Sequence, residues 1–253
     1  MIVRLRSYHA GETLATVRTF GYFCTPMPRP TIAFDLDGTL VDTAPDLLRA
    51  LEAALQSEGL HAPDDEQARN FIGGGARAMI ERALAAHRIN FGKEKVDEMF
   101  RVFLLHYEAH IADNSKPFPG VAAALAKVAE TGAILAVCTN KPEKYAIKLL
   151  DALSLRAPFA YVAGGDTFAY RKPDPRHLLD AIERAGGNPD HALLVGDSET
   201  DVITARAAEI PMIAVSFGYT DIPPAALGAD VLIHKYEELP GAVAAILAHP
   251  RLA

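Results

Sequence analysis

Two aspartates separated by a single residue follow a short apolar run near the start of the chain. The run is residues 32–34, and Asp35 and Asp37 come directly after it, with Gly38 permitting a sharp turn. Two carboxylates this close resist ionising together unless a cation joins them or one keeps a proton. Both states suit phosphoryl chemistry, in which one carboxylate attacks beside a metal and the other donates a proton. The alternative, an acidic turn in solvent, leaves the neighbouring glycine, threonine and third aspartate unexplained.

Three later segments place polar residues after further apolar runs. Thr139 and Asn140 precede a helical pattern, and they suit either a phosphate cradle or a plain helix N-cap. Lys172 lies in a loop, where it would neutralise a phosphoryl group or simply occupy a surface turn. Asp197 and Asp201 suit a hard-cation site or an acidic helix start. Each segment alone therefore has an ordinary structural explanation.

Taken in order, the four segments resemble the four motifs of the haloacid dehalogenase superfamily. The residues that match the first motif are Asp35, Asp37, Gly38, Thr39 and Asp42. The later motifs are Thr-Asn at 139–140, Lys-Pro at 172–173 and Gly-Asp-x-x-x-Asp at 196–201. The resemblance extends from residue 31 to about residue 236. It implies a doubly wound parallel α/β sheet, a Rossmann-like core, with an inserted helical cap.

The resemblance also implies a mechanism. Asp35 would attack phosphorus to form an aspartyl-phosphate, and Asp37 would protonate the leaving alkoxide and then assist hydrolysis. Mg²⁺ would be held by the Asp35 carboxylate, the Asp37 backbone carbonyl and Asp197. Asp201 would orient a metal-bound water or the motif lysine. The groups implied to bind phosphoryl oxygens are Thr139, Asn140 and Lys172.

Within the superfamily the chain is similar to the phosphoglycolate phosphatase group, which implies hydrolysis of 2-phosphoglycolate to glycolate and phosphate. The matching segments are 70–76, 195–198 and 215–219. In the first of them, we expect Gly74 and Gly75 to form a turn that faces the active site. Arg77 then falls in the first turn of a helix, where it would pair with a substrate carboxylate or remain a solvated charge.

Three other functions share parts of this pattern. A sugar-phosphate phosphatase or a hexose-phosphate mutase of the same superfamily would use the same four motifs. The mutase would retain its phosphorylated intermediate instead of releasing phosphate. A phosphoacceptor signalling domain also combines aspartate, threonine, lysine and an acidic metal pocket on a parallel sheet, but Asp37 and the long insertion after the first motif argue against it.

Apolar runs interleaved with helical patterns predict the elements that position these residues. The predicted strands are 32–34, 133–138, 160–163, 192–195, 212–215 and 231–233, and the predicted helices between them are 121–130, 143–153, 176–184 and 199–208. Residues 44–116 show only helical periodicity. We therefore predict a catalytic core at 28–43 and 117–253 and a helical cap at 44–116. The basic, acid-poor residues 1–27 are interpreted as a dispensable N-terminal extension, with a weak organelle transit peptide as the alternative.

The composition limits the partners of the chain. It has 253 residues, half of them hydrophobic and 23% charged, and a net charge of −7, which argues against binding to nucleic acid or an anionic membrane surface. No apolar stretch approaches the roughly 18 residues that span a bilayer. The two cysteines, Cys24 and Cys138, indicate no disulfide framework and fit a reducing cytoplasm. We expect a cytoplasmic monomer or homodimer that binds a small phosphomonoester.

Overall fold

A six-stranded parallel sheet forms the centre of the computed structural model, which describes residues 29–61, 71–72 and 75–248. In chain order the strands are β1 (Thr31–Phe34), β2 (Val41–Asp42), β3 (Lys116–Pro117), β4 (Ile134–Cys138), β5 (Phe159–Ala163), β6 (Ala192–Gly196), β7 (Met212–Val215) and β8 (Val231–Ile233). The large sheet has the order β5-β4-β1-β6-β7-β8, and β2 and β3 form a separate antiparallel pair. The strand β1 therefore lies between β4 and β6, parallel to both.

Helices cover both faces of this sheet. The α-helices of the described residues are α1 (Ala44–Gln56), α2 (Ala76–Ala86), α3 (Lys93–Ala109), α4 (Val121–Glu130), α5 (Glu143–Ala152), α6 (Pro175–Arg184), α7 (Glu199–Ala207) and α8 (Leu239–Ala248). Ile32 and Phe34 of β1 pack in one buried cluster with α4, α5 and α8, whereas Ala33 packs on the opposite face with α6 and α7. Alternate residues of a strand point to opposite faces, so both faces of β1 are buried. The predicted doubly wound α/β fold is confirmed.

The predicted strands of the large sheet agree with the observed ones to within one residue at each end. All four residues of β1 are buried, as expected for a strand covered on both faces. The pair β2–β3 and the helix α8 were not predicted. Two-residue strands are too short to show a period, and Pro240 and Gly241 in the first turn of α8 resemble loop residues, although proline is tolerated there.

The described helices between β2 and β3 are α1 to α3, and we call residues 44–116 the helical insertion. The helix α1 packs against both α2 and α3. Val41 pairs with Pro117 and Asp42 with Lys116, so the two ends of the insertion lie side by side. Residues 62–70 and 73–74 lie outside the described part of the chain, as does the predicted extension at 1–27. The division into separate core and cap domains stays a prediction.

Two further observations bear on the expected environment of the protein. Cys138 is buried and forms no disulfide, while Cys24 falls outside the described residues. Within the described ranges, no helix combines the length and the apolar character needed to cross a membrane.

Asp46, in the first turn of α1, forms hydrogen bonds with residues 114–115, the segment by which the chain leaves the insertion. Its carboxylate accepts hydrogen bonds from the backbone and side-chain nitrogens of Asn114 at 3.0 to 3.1 Å, and from the N–H and hydroxyl of Ser115, both at 2.7 Å. The residue is 1% exposed. Burial disfavours its charged form, but the bonds from Ser115 and Asn114 outweigh burial and hold the pKa of Asp46 below its usual value.

Asp46→Asn is expected to lower the free energy of unfolding by about 1–3 kcal/mol, because the amide NH₂ would face donors that the carboxylate now satisfies. The folded-state pKa is lowered, so ionised Asp46 contributes stability above the unfolded value of about 3.9, and this contribution is lost as the pH falls. The stability difference between wild type and variant should therefore shrink between about pH 7 and about pH 3 in chemical denaturation.

The exposed Asp190 offers a control, because Asp190→Asn should leave the free energy of unfolding almost unchanged. If Asp46→Asn had the same free energy of unfolding as wild type at about pH 7, that result would contradict the role given to Asp46.

Candidate active site

Three neighbouring parallel strands bring the predicted site residues to one edge of the sheet. Asp35 follows β1, Thr139 follows β4 and Asp197 follows β6 at the carboxyl ends of these strands. The strand ladder continues into the first residue of the loop after β1, where the Asp35 N–H donates to the Val195 carbonyl at 2.9 Å. This edge is where open α/β sheets bind ligands, so the fold itself assembles the candidate site.

A buried lysine joins two of the carboxylates. Lys172 Nζ lies 3.0 Å from Asp35 Oδ1 and 2.6 Å from Asp201 Oδ1. Lys172 is 3% exposed and Asp201 is fully buried. Burial lowers the pKa of Lys172, but Asp201 and Asp35 outweigh burial and raise it above its usual value. The ammonium therefore stays charged at the centre of the site.

Asp197 completes a group of three close carboxylates with Asp35 and Asp201. The ligand oxygens of the three lie within 4.8 Å of one another. Burial, followed by the charges of Asp35 and Asp201, raises the pKa of Asp197 to about 8. Burial also raises the pKa of Asp35 to about 6, although Lys172 opposes the shift. Three carboxyl groups facing one ammonium must keep a proton or bind a cation, and hard oxygen ligands this close together fit a divalent cation.

Asp201 has both of its carboxylate oxygens engaged within the protein. Oδ1 accepts from Lys172, and Oδ2 accepts from the hydroxyl of Ser198 at 2.6 Å and from its N–H at 3.1 Å. A longer bond of 3.3 Å joins Oδ2 to the N–H of Asp197. Asp201 thus holds the start of α7 and the Lys172 side chain in place.

Asp197 is itself held by hydrogen bonds from two other loops. Thr39 Oγ1 donates to Asp197 Oδ1 at 2.8 Å, and the Tyr219 N–H donates to Oδ2 at 2.7 Å. The Tyr219 hydroxyl then donates to Asp42 Oδ1 at 2.6 Å and accepts from the Ala44 N–H at 2.9 Å. Tyr219 therefore connects the carboxylate cluster to the segment by which the chain enters the helical insertion.

The loop after β4 contains the predicted phosphate-binding pair. Thr139 is 1% exposed, and its hydroxyl accepts from the Lys141 N–H at 3.2 Å. The Asn140 side chain donates to the Lys172 carbonyl at 3.0 Å, which ties this loop to the loop that carries the lysine. Thr139, Asn140 and Lys172 all line one cavity with Asp35 and Asp37. Their contact with phosphoryl oxygens stays a prediction.

Lys141 and Tyr107 belong to the site but were missed by sequence reasoning. Lys141 Nζ lies 2.8 and 3.1 Å from the two carboxylate oxygens of Asp37, and 4.6 Å from the ring centroid of Tyr107 on α3. Burial lowers the pKa of Lys141, but Asp37 and then Tyr107 outweigh burial and raise it above its usual value. A lysine directly after the Thr-Asn pair was the one available signal in the sequence.

The predicted specificity residues lie at the start of α2. Gly75 precedes this helix with a φ of 92°, a value that favours glycine. Gly74 lies outside the described residues. Arg77 is in the first turn of α2 as predicted and lines the cavity, but its guanidinium pairs with Asp97 and lies 5.2 Å from the ring centroid of Phe100. A role for Arg77 in substrate choice stays a prediction.

The cavity between the sheet edge and the helical insertion has a volume of about 530 Å³. Its polar side carries the catalytic-motif residues and Lys141. Its apolar side comes from the insertion and includes Leu47, Ile72, Met79, Phe100, Phe103 and Leu104. The insertion also contributes the charged residues Arg77, Glu81 and Arg82. The volume lies in the range of small-molecule sites, and the lysine and arginine groups on both sides suit a small anion.

Known proteins share this sequence and fold. A model of haloacid dehalogenase-like hydrolases matches residues 32–215. A phosphoglycolate phosphatase of Mesorhizobium japonicum is 52% identical over 195 residues, which cover 77% of this chain and 86% of the relative. One of Agrobacterium fabrum is 43% identical over 210 residues, covering 83% and 90%. A crystal structure described as a predicted phosphoglycolate phosphatase from Haemophilus somnus matches with a TM-score of 0.79 at 27% identity, covering 85% of this chain and 97% of that one.

Gly218→Ala is expected to displace the Asp197 carboxylate, because a Cβ at Gly218 would lie 2.2 Å from the Cβ of Asp197. Overpacking of this kind costs about 1–3 kcal/mol, so the melting temperature should fall by several degrees. Gly241→Ala is the matched control, since its added Cβ meets no atom within 4 Å. A Gly218→Ala protein that melts like wild type would show that the loop yields without disturbing Asp197.

Proposed function

Because the chain belongs to the haloacid dehalogenase-like hydrolases, we propose that it is a Mg²⁺-dependent phosphatase that hydrolyses 2-phosphoglycolate to glycolate and phosphate. The observation that carries this proposal is the Asp35 carboxylate, which lies 3.0 Å from a buried ammonium at the edge of a parallel sheet. Relatives named phosphoglycolate phosphatase, up to 52% identical, support the choice of substrate.

Asp35 is the proposed nucleophile. One of its carboxylate oxygens attacks phosphorus and displaces the glycolate oxygen, which forms an aspartyl-phosphate and breaks the ester P–O bond. Lys172, adjacent to Asp35, offsets the negative charge that accumulates on the phosphoryl oxygens in the transition state. Thr139 would donate a hydrogen bond to one of those oxygens, and its position at the end of the neighbouring strand supports this role.

Asp37 is the proposed general acid and base. It donates a proton to the leaving glycolate oxygen in the first step. It then takes a proton from the water that attacks the aspartyl-phosphate, and the second step releases inorganic phosphate and restores Asp35. Its side chain is 22% exposed and lines the cavity, so it can reach both the leaving group and the incoming water.

Asp35, Asp197 and the backbone carbonyl of Asp37 are the proposed ligands of Mg²⁺. The excess of buried carboxylates over ammonium groups supports this assignment, because hard oxygen ligands suit this ion. When bound, the ion would screen the repulsion between the nucleophile and the phosphoryl group and polarise the phosphoryl oxygens. Asp201 positions Lys172 through their 2.6 Å contact.

The helical insertion favours small substrates. Its apolar side chains close over the charged sheet edge and leave limited room, which supports a small phosphomonoester over a phosphoprotein or a nucleic acid. We further propose that the enzyme acts in the cytoplasm as a monomer or homodimer, in keeping with its acidic composition and two cysteines.

Among 2-phosphoglycolate, glucose 6-phosphate and pyrophosphate, we expect 2-phosphoglycolate to give the highest kcat/KM, measured as phosphate release with Mg²⁺ present. Asp35→Asn keeps the shape of the side chain but cannot attack phosphorus, so it should abolish phosphate release. A higher kcat/KM for either competitor would contradict the substrate. Activity of Asp35→Asn within about tenfold of wild type would contradict the nucleophile. Sugar-phosphate isomer formed without phosphate release would identify a mutase.

Asp197→Ala is expected to raise the Mg²⁺ concentration needed for half-maximal activity by about tenfold or more, because one charged ligand is lost. EDTA should inactivate the wild-type enzyme, and added Mg²⁺ should restore it. Asp190→Ala, at an exposed position away from the cluster, should keep the wild-type Mg²⁺ requirement. An unchanged Mg²⁺ titration for Asp197→Ala, or full activity in EDTA, would contradict the assigned ion site.

A further inference from the structure

Lys141 is a buried cation at the active site that has no part in the mechanism above. It is 7% exposed, and its ammonium contacts both oxygens of Asp37 at 2.8 and 3.1 Å. The Tyr107 ring lies on its other side, 4.6 Å away. Burying an ammonium group is costly unless nearby groups compensate its charge. Here the Asp37 carboxylate and the face of the Tyr107 ring stabilise the charged form of Lys141.

The position of Lys141 relative to Asp37 sets what it can reach in a bound substrate. A general acid must come within about 3 Å of the oxygen it protonates. Lys141 Nζ lies 2.8 Å from the same carboxylate, so it falls within about 6 Å of the leaving oxygen. In 2-phosphoglycolate the carboxylate is one carbon beyond that oxygen, about 3 Å away by ordinary bond lengths. An anion on the leaving group is therefore within reach of Lys141.

Besides Lys141, the cations that line the cavity are Lys172, Arg77, Arg82 and Arg171, and Arg82 donates to the Phe71 carbonyl at 2.9 Å. Lys172 contacts Asp35 and Asp201, and it belongs to the phosphoryl end of the site. Arg77 pairs with Asp97 on α3 and is 40% exposed at its side chain. None of these four cations forms an ion pair with Asp37 among the described residues, whereas Lys141 does.

We propose that Lys141 binds the substrate carboxylate and exchanges its ion pair with Asp37 for an ion pair with the substrate. Before binding, the ammonium holds both Asp37 oxygens. When the carboxylate of the leaving group binds to Lys141, those oxygens are released. A protonated Asp37 then faces the leaving oxygen in the first step, and the carboxylate that this step leaves behind faces the incoming water in the second. A phosphomonoester without the anion leaves Lys141 on Asp37. Lys141 is then the residue that makes the reaction selective for carboxylated substrates, and this inference rests on the proposed function.

The exchange predicts a specific kinetic signature. Replacing one pair by another keeps the buried ammonium compensated, so a carboxylated substrate gains in kcat as well as in binding. A neutral substrate of the same shape must break the Lys141–Asp37 pair without compensation. The difference corresponds to a charge-assisted contact of about 1.5–3 kcal/mol, or about 10- to 100-fold in kcat/KM.

The test compares 2-phosphoglycolate with its neutral amide, 2-phosphoglycolamide, in wild type and in Lys141→Met. Wild type should prefer the carboxylate by about tenfold or more, and Lys141→Met should remove this preference. Its kcat/KM should fall for the carboxylate and should stay level or rise for the amide, which no longer has to break the Lys141–Asp37 pair. Lys127→Met, at an exposed position on α4, should match wild type on both substrates. Equal losses on both substrates in Lys141→Met would overturn the inference.

Two further variants keep the experiment decisive. Arg77→Ala should not selectively lower kcat/KM for the carboxylate substrate. If it does so while Lys141→Met does not, Arg77 binds the substrate carboxylate and the inference is wrong.

If Lys141→Met fails to fold, Lys141→Arg keeps the charge and should retain the preference for the carboxylate. Loss of that preference in a folded Lys141→Arg would overturn the inference. Wild type that hydrolyses other phosphomonoesters but neither of these two would instead refute the proposed substrate, and the inference with it.

Discussion

The candidate site depends on keeping several carboxylates close together in a buried space. Asp35, Asp197 and Asp201 repel one another when charged, and Lys172 compensates only part of their charge. A backbone that was free to relax would let the three side chains move apart. The sheet prevents that relaxation, because β1 and β6 are neighbours whose backbone hydrogen bonds extend to Asp35 itself. Burial and mutual repulsion therefore raise the pKa values of Asp35 and Asp197, and a bound cation would stabilise the charged form of both.

Close backbone contacts and buried polar groups hold these charges in register. Gly38 and Gly218 approach the Asp197 side chain so closely that a Cβ at either would lie within 2.5 Å of it. Hydrogen bonds from Thr39 and Tyr219 then fix both oxygens of that carboxylate. Chain segments far apart in sequence thus form one rigid cradle, which keeps the acidic oxygens aimed at a common point even though their charges oppose it.

The parts of this arrangement that could be predicted from the sequence are those that depend on local order. Each strand of the large sheet is a continuous apolar run, and Asp35 and Asp197 stand where such runs end, so both the sheet and these positions were found. Lys141 was missed because its partner Asp37 is 104 positions away, and locally it is one more polar residue before a helix. Likewise, nothing in its own helix marks Arg77 as the partner of Asp97, which lies on α3.

The Tyr219 side chain has a consequence for how such proteins can be rebuilt or can diverge. Its backbone N–H donates to Asp197, and its hydroxyl bonds to Asp42 and to the Ala44 N–H. The start of the helical insertion is therefore fixed in position relative to the loop that carries Asp197. An insertion taken from another protein would have to meet the same hydroxyl to sit at the same angle above the sheet. Recombination that cuts between Asp42 and Ala44 would separate the two halves of this joint, so the modular unit of exchange includes the flanking strands and not the helices alone.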